Sequence, residues 1–545
     1  MERPTATPPF TPGESFTIDP NDPLLNPRMP VALDGDQKKL RHLIERRHPD
    51  YRTHIDHWAF LEKTYEGGRD WFPNNIFRYI KEGDQEYADR LNRAYRFNHS
   101  REVVDLLNKY LFKQEIVRND TDAPQSVKTF WKASTRTGLS IKDFAKQVSK
   151  KCSIYGRIGI IVDNTAEGPV VSRADEAIQN FKTYAYIVTP QQLLDYAYDD
   201  SGDLLWALIA EVKRDDQDPM TSTGKQREQY RLWTRTDWQL YEEVQGPKKA
   251  KTIQLVDYRE HDLGVVPLIL ADNIISEELY VTPALIDDIA YLDRASANYL
   301  SNLDAIIQDQ TYSQLAMPAQ NVLPGEDNYT KLLEMGTKRV FLYDGEGGAA
   351  PFYLSPDVKQ AQIILGVINK IINEIYHTVG LAGERTKQDN ALGIDNSSGV
   401  AKAYDFERVN ALLAAKAESL ESIESRISKL VALWNGESEF AGSDDCYVEY
   451  PRNFDTRGLY DEFDIAARLM LIEAPDTVRR QQMQTVIDKL FPQLAKDLLA
   501  KMQAELKDWP VDPTLIDPNS PEGQASQTLQ KTSDRELSKE TDNAD

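Results

Sequence analysis

Cysteine is almost missing from this chain. Its 545 residues carry two, Cys152 and Cys446. They lie far apart and form no CxxC or zinc-type spacing, which excludes a disulfide scaffold and a cysteine-based metal site. Long apolar runs are missing too. None approaches the ~18 residues of a membrane-spanning helix, and the first residues hold no apolar signal core, so the expectation is a cytoplasmic product with no membrane partner. The signatures GxxxxGK[ST], GxSxG and HExxH are absent, and no GxGxxG follows a strand. With them go the phosphate cradle, the nucleophile elbow and the zincin helix. Positive charge is scarce: 64 Lys and Arg face 87 Asp and Glu, a net charge of −23. A general nucleic-acid-binding surface needs the reverse, because phosphate affinity comes from Lys and Arg releasing counterions. The bias peaks between residues 260 and 330, with twelve carboxylates and one cation, Arg294.

What is present is globular. A hydrophobic fraction of 41% with 28% charged residues fits packed cores, and the length accommodates about two to four domains. Residues 1–35 hold eight prolines and supply little core. They read as an extended arm, either loose or wrapped around a neighbouring subunit. Residues 511–545 are polar and read as a disordered tail. Between these, 36–153 read as helical, with amphipathic stretches at 36–48, 50–65 and 100–112. The last of these turns Val103, Leu106, Leu107, Tyr110 and Leu111 inward. The period then changes. Residues 158–162 form a buried strand; 193–198 and 204–212 form a hairpin around the Asp199–Asp203 turn; 230–234 and 238–242 form a second. The fold class is α+β, predominantly helical.

Residues 282–436 carry most of the information. Two helices open on Thr282-Pro283 and Ser355-Pro356, each a hydroxyl cap before a proline suited to the first helical position. Leu285, Ile289, Leu292, Ser296, Tyr299, Leu303 and Ile306 form a stripe on the first. Val358, Ala361, Leu365, Ile368, Ile372, Ile375 and Val379 form one on the second. Steps of three and four ask for neighbouring helices along a seam. Residues 316–354 between them are rich in proline and glycine around one strand, 339–343. Glycines 380, 383, 393 and 399 then mark a loop, before a helix spanning 398–435, a strand at 446–450 and helical residues 459–508.

A cluster of histidines, His42, His48, His54 and His57, takes four of the seven in the chain within sixteen residues. With Asp50 one turn before His54, these could hold a divalent metal. The plainer reading is a polar helix surface beside Arg41, Arg46, Arg47 and Arg52. With 87 carboxylates, paired acids carry no information. No catalytic residue, resident metal or cofactor is expected.

The order of these segments resembles bacteriophage portal proteins, the ring-shaped channels at the DNA-entry vertex of tailed-phage heads. The resemblance spans most of 35–510. It rests on Glu86-Tyr87-Ala88-Asp89-Arg90-Leu91-Asn92-Arg93-Ala94 with Asn98 after it, on Tyr155-Gly156-Arg157 running into Ile158-Gly159-Ile160-Ile161-Val162-Asp163, on Leu263-Gly264-Val265-Val266-Pro267, and on the helix–excursion–helix unit. It implies a subunit with an arm (1–35), a wing (36–281), a first stem helix (282–315), a clip (316–354), a second stem helix (355–379), a tunnel loop (380–399), a long wing helix and strand (400–458), a crown (459–510) and a tail (511–545). Such subunits form a ring, typically a dodecamer, in the virion at the capsid portal vertex after synthesis in the host cytoplasm. The implied partners are double-stranded DNA in the channel, the terminase large subunit, the head–tail adaptor, the major capsid protein and scaffold. By the same resemblance, Arg385 and Lys387 approach phosphates from the tunnel loop, and Asp287, Asp288, Asp293 and Asp304 make an acidic, low-adhesion channel wall. Lys331, Lys338 and Arg339 contact partners from the clip. Two other readings stay open: another head or tail structural component, and a metal-dependent enzyme built on His42–His57.

Overall fold

Caps decide where the N-terminal helices begin. In this computed structural model the described residues run from 37 to 454, except 81, 120, 166–181, 217, 246–250, 262, 312–313, 319–339, 344–349, 351, 355–357, 382–398, 444–447 and 453, and include 475–490, 501–502 and 504–506. Helix α1 is Gln37–Glu45. In α2 (Pro49–Glu66), proline takes the first turn and the His48 ring accepts from the Asp50 amide. After the short α3 (Phe72–Asn75), α4 (Asp84–Arg93) is capped by the Glu86 carboxylate accepting from the Gly83 amide at 3.2 Å. Asn98 accepts from the Arg101 amide to open α5 (His99–Leu111). Helix α6 is Gln125–Lys132, and Ser140 caps α7 (Ile141–Tyr155). Each such cap satisfies an amide that the helix itself leaves bare. Inward residues on α5 are Val103, Val104, Leu107 and Leu111, with Leu106 and Tyr110 half-buried against the same core.

Gly156 ends α7 at φ +82°, and a Cβ there would stand 2.0 Å from the Thr282 carbonyl oxygen. Only glycine lets the chain turn at this point while the segment entering the later helices packs onto it. A two-residue strand, β1 (Val117–Arg118), precedes this turn. Strand β2 (Arg157–Asn164) follows it, buried at all eight positions, and pairs antiparallel with β3 (Thr183–Val188).

Next comes a meander of five antiparallel strands in sequence order: β4 (Leu193–Tyr198), β5 (Leu204–Arg214), β6 (Gln226–Thr234), β7 (Asp237–Gln245) and β8 (Lys251–Glu260). Asp199 shapes the first turn by accepting from the Ser201 and Asp203 amides. The chain then returns to β2 through β9 (Leu268–Asp272), which closes the order β3-β2-β9.

Helix α8 (Asp287–Thr311), which begins at Asp287 and not at the expected Thr282-Pro283 cap, leads to β10 (Gln314–Pro318), β11 (Val340–Tyr343) and β12 (Phe352–Leu354), and these to α9 (Val358–Thr378). Helix α10 (Gly399–Trp434), roughly 54 Å long at ~1.5 Å per residue, packs against α5, α6, α7, β2 and β9. After α11 (Ser438–Ala441), β13 (Val448–Glu449) pairs with β1. One apolar core joins α2, α5, α6, α7, β2, β9, α8, α9 and α10. A second lies between α1 and the meander, with Leu40 and Ile44 on Trp206, Leu208, Leu232 and Tyr241.

By its internal contacts the chain divides into Met1–Phe454 and Asp455–Asp545. In the second unit the described residues contain α12 (Asp476–Leu490). The predicted arm and tail lie outside the described residues. The architecture is α+β, as its sequence periods suggest. Among the described residues no helix is long and apolar enough to cross a membrane.

Candidate functional site

Helices α8 and α9 form a pair that both starts and finishes at α5. Helix α8 runs into β10 and α9 leaves β12, and those strands are antiparallel neighbours with Gln314 opposite Leu354. The helices therefore run in opposite directions and share a small sheet, ordered β11-β10-β12, at the ends remote from α5. Ile289, Ala290, Leu300 and Leu303 of α8 are buried in the same core as Ile368, Ile372 and Ile375 of α9. Burying a side chain of that size contributes roughly 2 kcal/mol, so the seam holds the pair together. Two expected seam residues point elsewhere. Tyr299 and Leu365 are 36% and 45% exposed, and their neighbours Leu300 and Ile364 pack inward instead.

The anchored end is polar. The Asp293 carboxylate accepts from the Ser100 amide at 3.1 Å and the Ser100 hydroxyl at 2.8 Å, at the start of α5. Arg96 approaches the same oxygen at 3.4 Å, stacks over the Trp71 ring and donates to the Thr64 carbonyl. Burial raises the Asp293 carboxyl above the ordinary range, against the pull of Arg96 and Ser100. On the other helix, the Tyr376 hydroxyl donates to Glu102 and meets His99 Nδ1 at 3.2 Å.

Arg90, from the predicted 86–94 motif, makes the second anchor. It is 3% exposed, donates to both Glu82 carboxylate oxygens at 2.7 Å, to the Ser301 hydroxyl at 2.9 Å and to the Phe77 carbonyl at 2.8 Å. Its guanidinium lies 4.1 Å from the Tyr79 ring centre. The bidentate bond holds the Glu82 carboxyl below the usual range. Asn298 adds a third tie: it accepts from the Phe77 amide and donates to the Asn75 carbonyl. The partners that tie α8 to the body, Ser301 with Arg90 and Asn298 with Phe77, lie 211 and 221 positions apart in sequence, so no local pattern reveals them.

The four predicted wall acids have different surroundings. Asp287 lies 2.9 Å from His57 Nε2 and caps the turn before α8 by accepting from the Ala284 amide. Asp304 is 3.4 Å from Arg93. Asp293 is 1% exposed within its own protomer and committed to α5. Asp288 is exposed. Arg385, Lys387, Lys331, Lys338 and Arg339 lie outside the described residues.

The histidines do not converge. His42 is exposed, while His48 caps α2 and stacks on Tyr280 at 3.8 Å. His54 Nδ1 lies 2.9 Å from the Asp50 carbonyl oxygen. His57 meets Asp287 and Tyr291. Among the described residues no group of three or more His, Cys, Asp or Glu is arranged to hold a metal.

The body thus anchors a pair of antiparallel helices that carry a small sheet. The family model for phage portal proteins, SPP1 Gp6-like, matches residues 42–455, and the chain belongs to this family. Portal proteins are structural components of the virion, and the resemblance carried by the 86–94 and 155–163 motifs is borne out. Among solved structures the chain is similar to one titled "Neck of empty GTA particle computed with C6 symmetry", at 10% identity and a TM-score of 0.37, over 73% of this chain and 96% of that one. No curated protein matches the chain.

Proposed function

We propose that this chain assembles into the ring-shaped channel at one vertex of a phage head, through which double-stranded DNA is packaged and later ejected. Helices α8 and α9 would be the stem and β10–β12 part of the clip. The observation that carries this reading is the anchored helix pair. It is fixed to the body along α8 by Asp293 and by Ser301, which accepts from Arg90, and near the end of α9 by Tyr376, and it still exposes Tyr299, Ile363 and Leu365 at 36–67%. Exposed apolar side chains on a helix pair are left in water in the protomer, and identical neighbours in a closed rotational ring would cover them.

On this reading the clip docks the terminase large subunit during packaging and the head–tail adaptor afterwards, with Lys331, Lys338 and Arg339 as contacts. The loop with Arg385 and Lys387 faces the DNA. The body meets the major capsid protein and scaffold. Of the four acids, Asp288 is the one whose exposure suits a channel wall; Asp293 is used within the protomer. The test is the native mass of the purified protein with negative-stain images. Twelve subunits of 62.1 kDa give about 745 kDa, expected with a stain-filled central hole. A compact dimer without a hole overturns the reading.

A further inference from the structure

Two strand edges in the body line one cleft of about 470 Å³, a volume within the range of ligand sites. One wall is the outer edge of β3, which has β2 on its inner side and no strand on the other. Ala185 turns its amide outward to the Ser134 carbonyl at 2.7 Å, so Ile187, two positions on, turns its own amide and carbonyl the same way. The other wall is the far half of β5. Strand β4 begins only at Leu193, opposite Ile209, and just before it the Gln192 carbonyl accepts from the Ala210 amide. Val212 therefore presents its amide and carbonyl where β4 no longer runs, and it is 59% exposed. On these sides neither Ile187 nor Val212 has a backbone partner among the described residues.

The side chains of the cleft suit an extended peptide. Leu139, Phe144, Val188 and Ile209 give it an apolar lining, and the Tyr186 hydroxyl there has no hydrogen-bond partner among the described residues. The exposed Arg136 donates to the Tyr184 hydroxyl and forms no ion pair among the described residues. Free main-chain groups beside apolar pockets are how a sheet edge takes up an added strand. The chain itself supplies a segment of this kind. Residues 1–35 hold eight prolines, whose missing amides interrupt strand pairing. Their longest proline-free run is 13–19, where Ser15-Phe16-Thr17-Ile18 alternates polar and apolar with the two-residue period of a strand. Glu14 and Asp19 flank it with negative charge that complements Arg136. Reach is ample. Gln37 opens α1 hydrogen-bonded to Ile253 of β8, three strands from β5 in the same sheet, which is about 14 Å at ~4.8 Å per strand. The 18 residues from Asp19 to Gln37 extend to about 60 Å at most.

We propose that residues 14–19 of the N-terminal arm add a strand to the β5 edge in this cleft of their own chain, with Phe16 and Ile18 on the apolar lining. The arm is then fastened across the body, neither loose nor wrapped around a neighbour. The contact is independent of ring assembly.

The test is amide hydrogen exchange in the full-length protein, compared with full-length Phe16→Asp/Ile18→Asp, whose changes touch none of the core residues. Exchange at Ile187 and Val212 is expected to be about tenfold slower or more in the wild type. A synthetic peptide of residues 13–19 supplies a second measurement. The tethered arm competes with it at a roughly millimolar effective concentration. The peptide should therefore bind the double variant about tenfold tighter or more than the wild type, and slow exchange at the same two amides. Equal exchange in wild type and variant overturns the proposal, as does a peptide that binds neither protein or both alike. The third measurement uses light and heavy-isotope chains mixed before any assembly. Carbodiimide should link Glu14 or Asp19 to Lys182, which donates to the Thr135 carbonyl beside the cleft, within chains of one isotope. Mixed-isotope links assign the arm to a neighbouring copy and overturn docking within the same chain.

Discussion

Arg90 and Lys416 show two opposite ways of keeping a cation inside this protein. Arg90 has a bidentate carboxylate partner, and the side chains of Arg90 and Glu82 are 4% and 7% exposed. Replacing Arg90 with Met keeps the volume but strands the Glu82 charge, a change that costs about 3 kcal/mol or more. Glu82 titrates below its ordinary value when folded. Its pairing therefore contributes stability that is present above the unfolded pKa of about 4.3 and lost as pH falls through the folded one. Urea midpoints should show a constant gap between wild type and Arg90→Met near neutrality, narrowing in acid; a gap independent of pH would refute the pairing. Lys416 is fully buried with neutral partners, the Ser153 hydroxyl at 2.8 Å and the Asn273 side-chain oxygen. Burial pushes its ammonium down to about 8, and the neighbouring Cys152 thiol up to about 12. For a lysine depressed on folding, the unfolded chain holds the extra proton between the two pKa values, so stability rises with pH in that window. Wild type should gain on the order of 2 kcal/mol over Lys416→Met between about pH 8 and 10. Parallel curves would show that the folded lysine keeps its proton through this window and is not depressed.

At the scale of elements, β10 and β12 make a direct prediction. Their ends lie side by side, Gln314 opposite Leu354, and paired strands bring opposite Cα atoms within about 5 Å. A short Gly-Ser linker in place of residues 316–354 can therefore join α8 to α9 without moving either. On the proposed assignment this variant keeps ring formation at least in part and loses terminase docking in a pull-down. Docking that survives removes the clip assignment. These elements also show what sequence pattern reveals. The helix expected over 398–435 is Gly399–Trp434, and the hairpin expected at 193–198 and 204–212 is Leu193–Tyr198 with Leu204–Arg214. Caps, glycines and a two-residue alternation mark such boundaries locally. Strands β1, β3, β8, β9, β10 and β12 lie outside the strands expected from the sequence, and pairing with neighbours distant in the chain defines several of them. The seam of α9 differs by one residue from the expected stripe at Leu365, because Ile363, Ile364 and Leu365 are all apolar and only the packing of α8 decides which turns inward. The anchors were the least legible. Ser100 and Ser301 look like ordinary helix serines until Asp293 and Arg90, roughly 200 positions away, are brought against them.

At the scale of the whole molecule, charge and apolar burial act against each other. Each protomer carries −23, so copies repel, and a ring of them must draw its cohesion from surfaces such as Ile363, Leu365 and Tyr299 rather than from net charge. The same charge bears on the polymer the ring is proposed to admit. Duplex DNA bears one negative charge per ~1.7 Å of axis, and tight non-specific binding requires several cations to displace its counterions. Residues 260–330 offer one, Arg294, whose guanidinium is stacked among the Phe60, Phe77 and Tyr291 rings. An assembled ring should therefore leave the mobility of short duplex DNA unchanged at about 0.15 M salt. At low salt, any association should be weak and should depend on Arg385 and Lys387, the two cations assigned to the tunnel loop. Charge reversal at Asp288 is the sensitive variant. Asp288→Lys would repeat a cation around every copy, and measurable retention of DNA with a steep salt dependence should appear. If the wild-type ring already binds duplex tightly, with affinity collapsing as salt rises, then the passage grips its polymer and the low-adhesion wall is wrong.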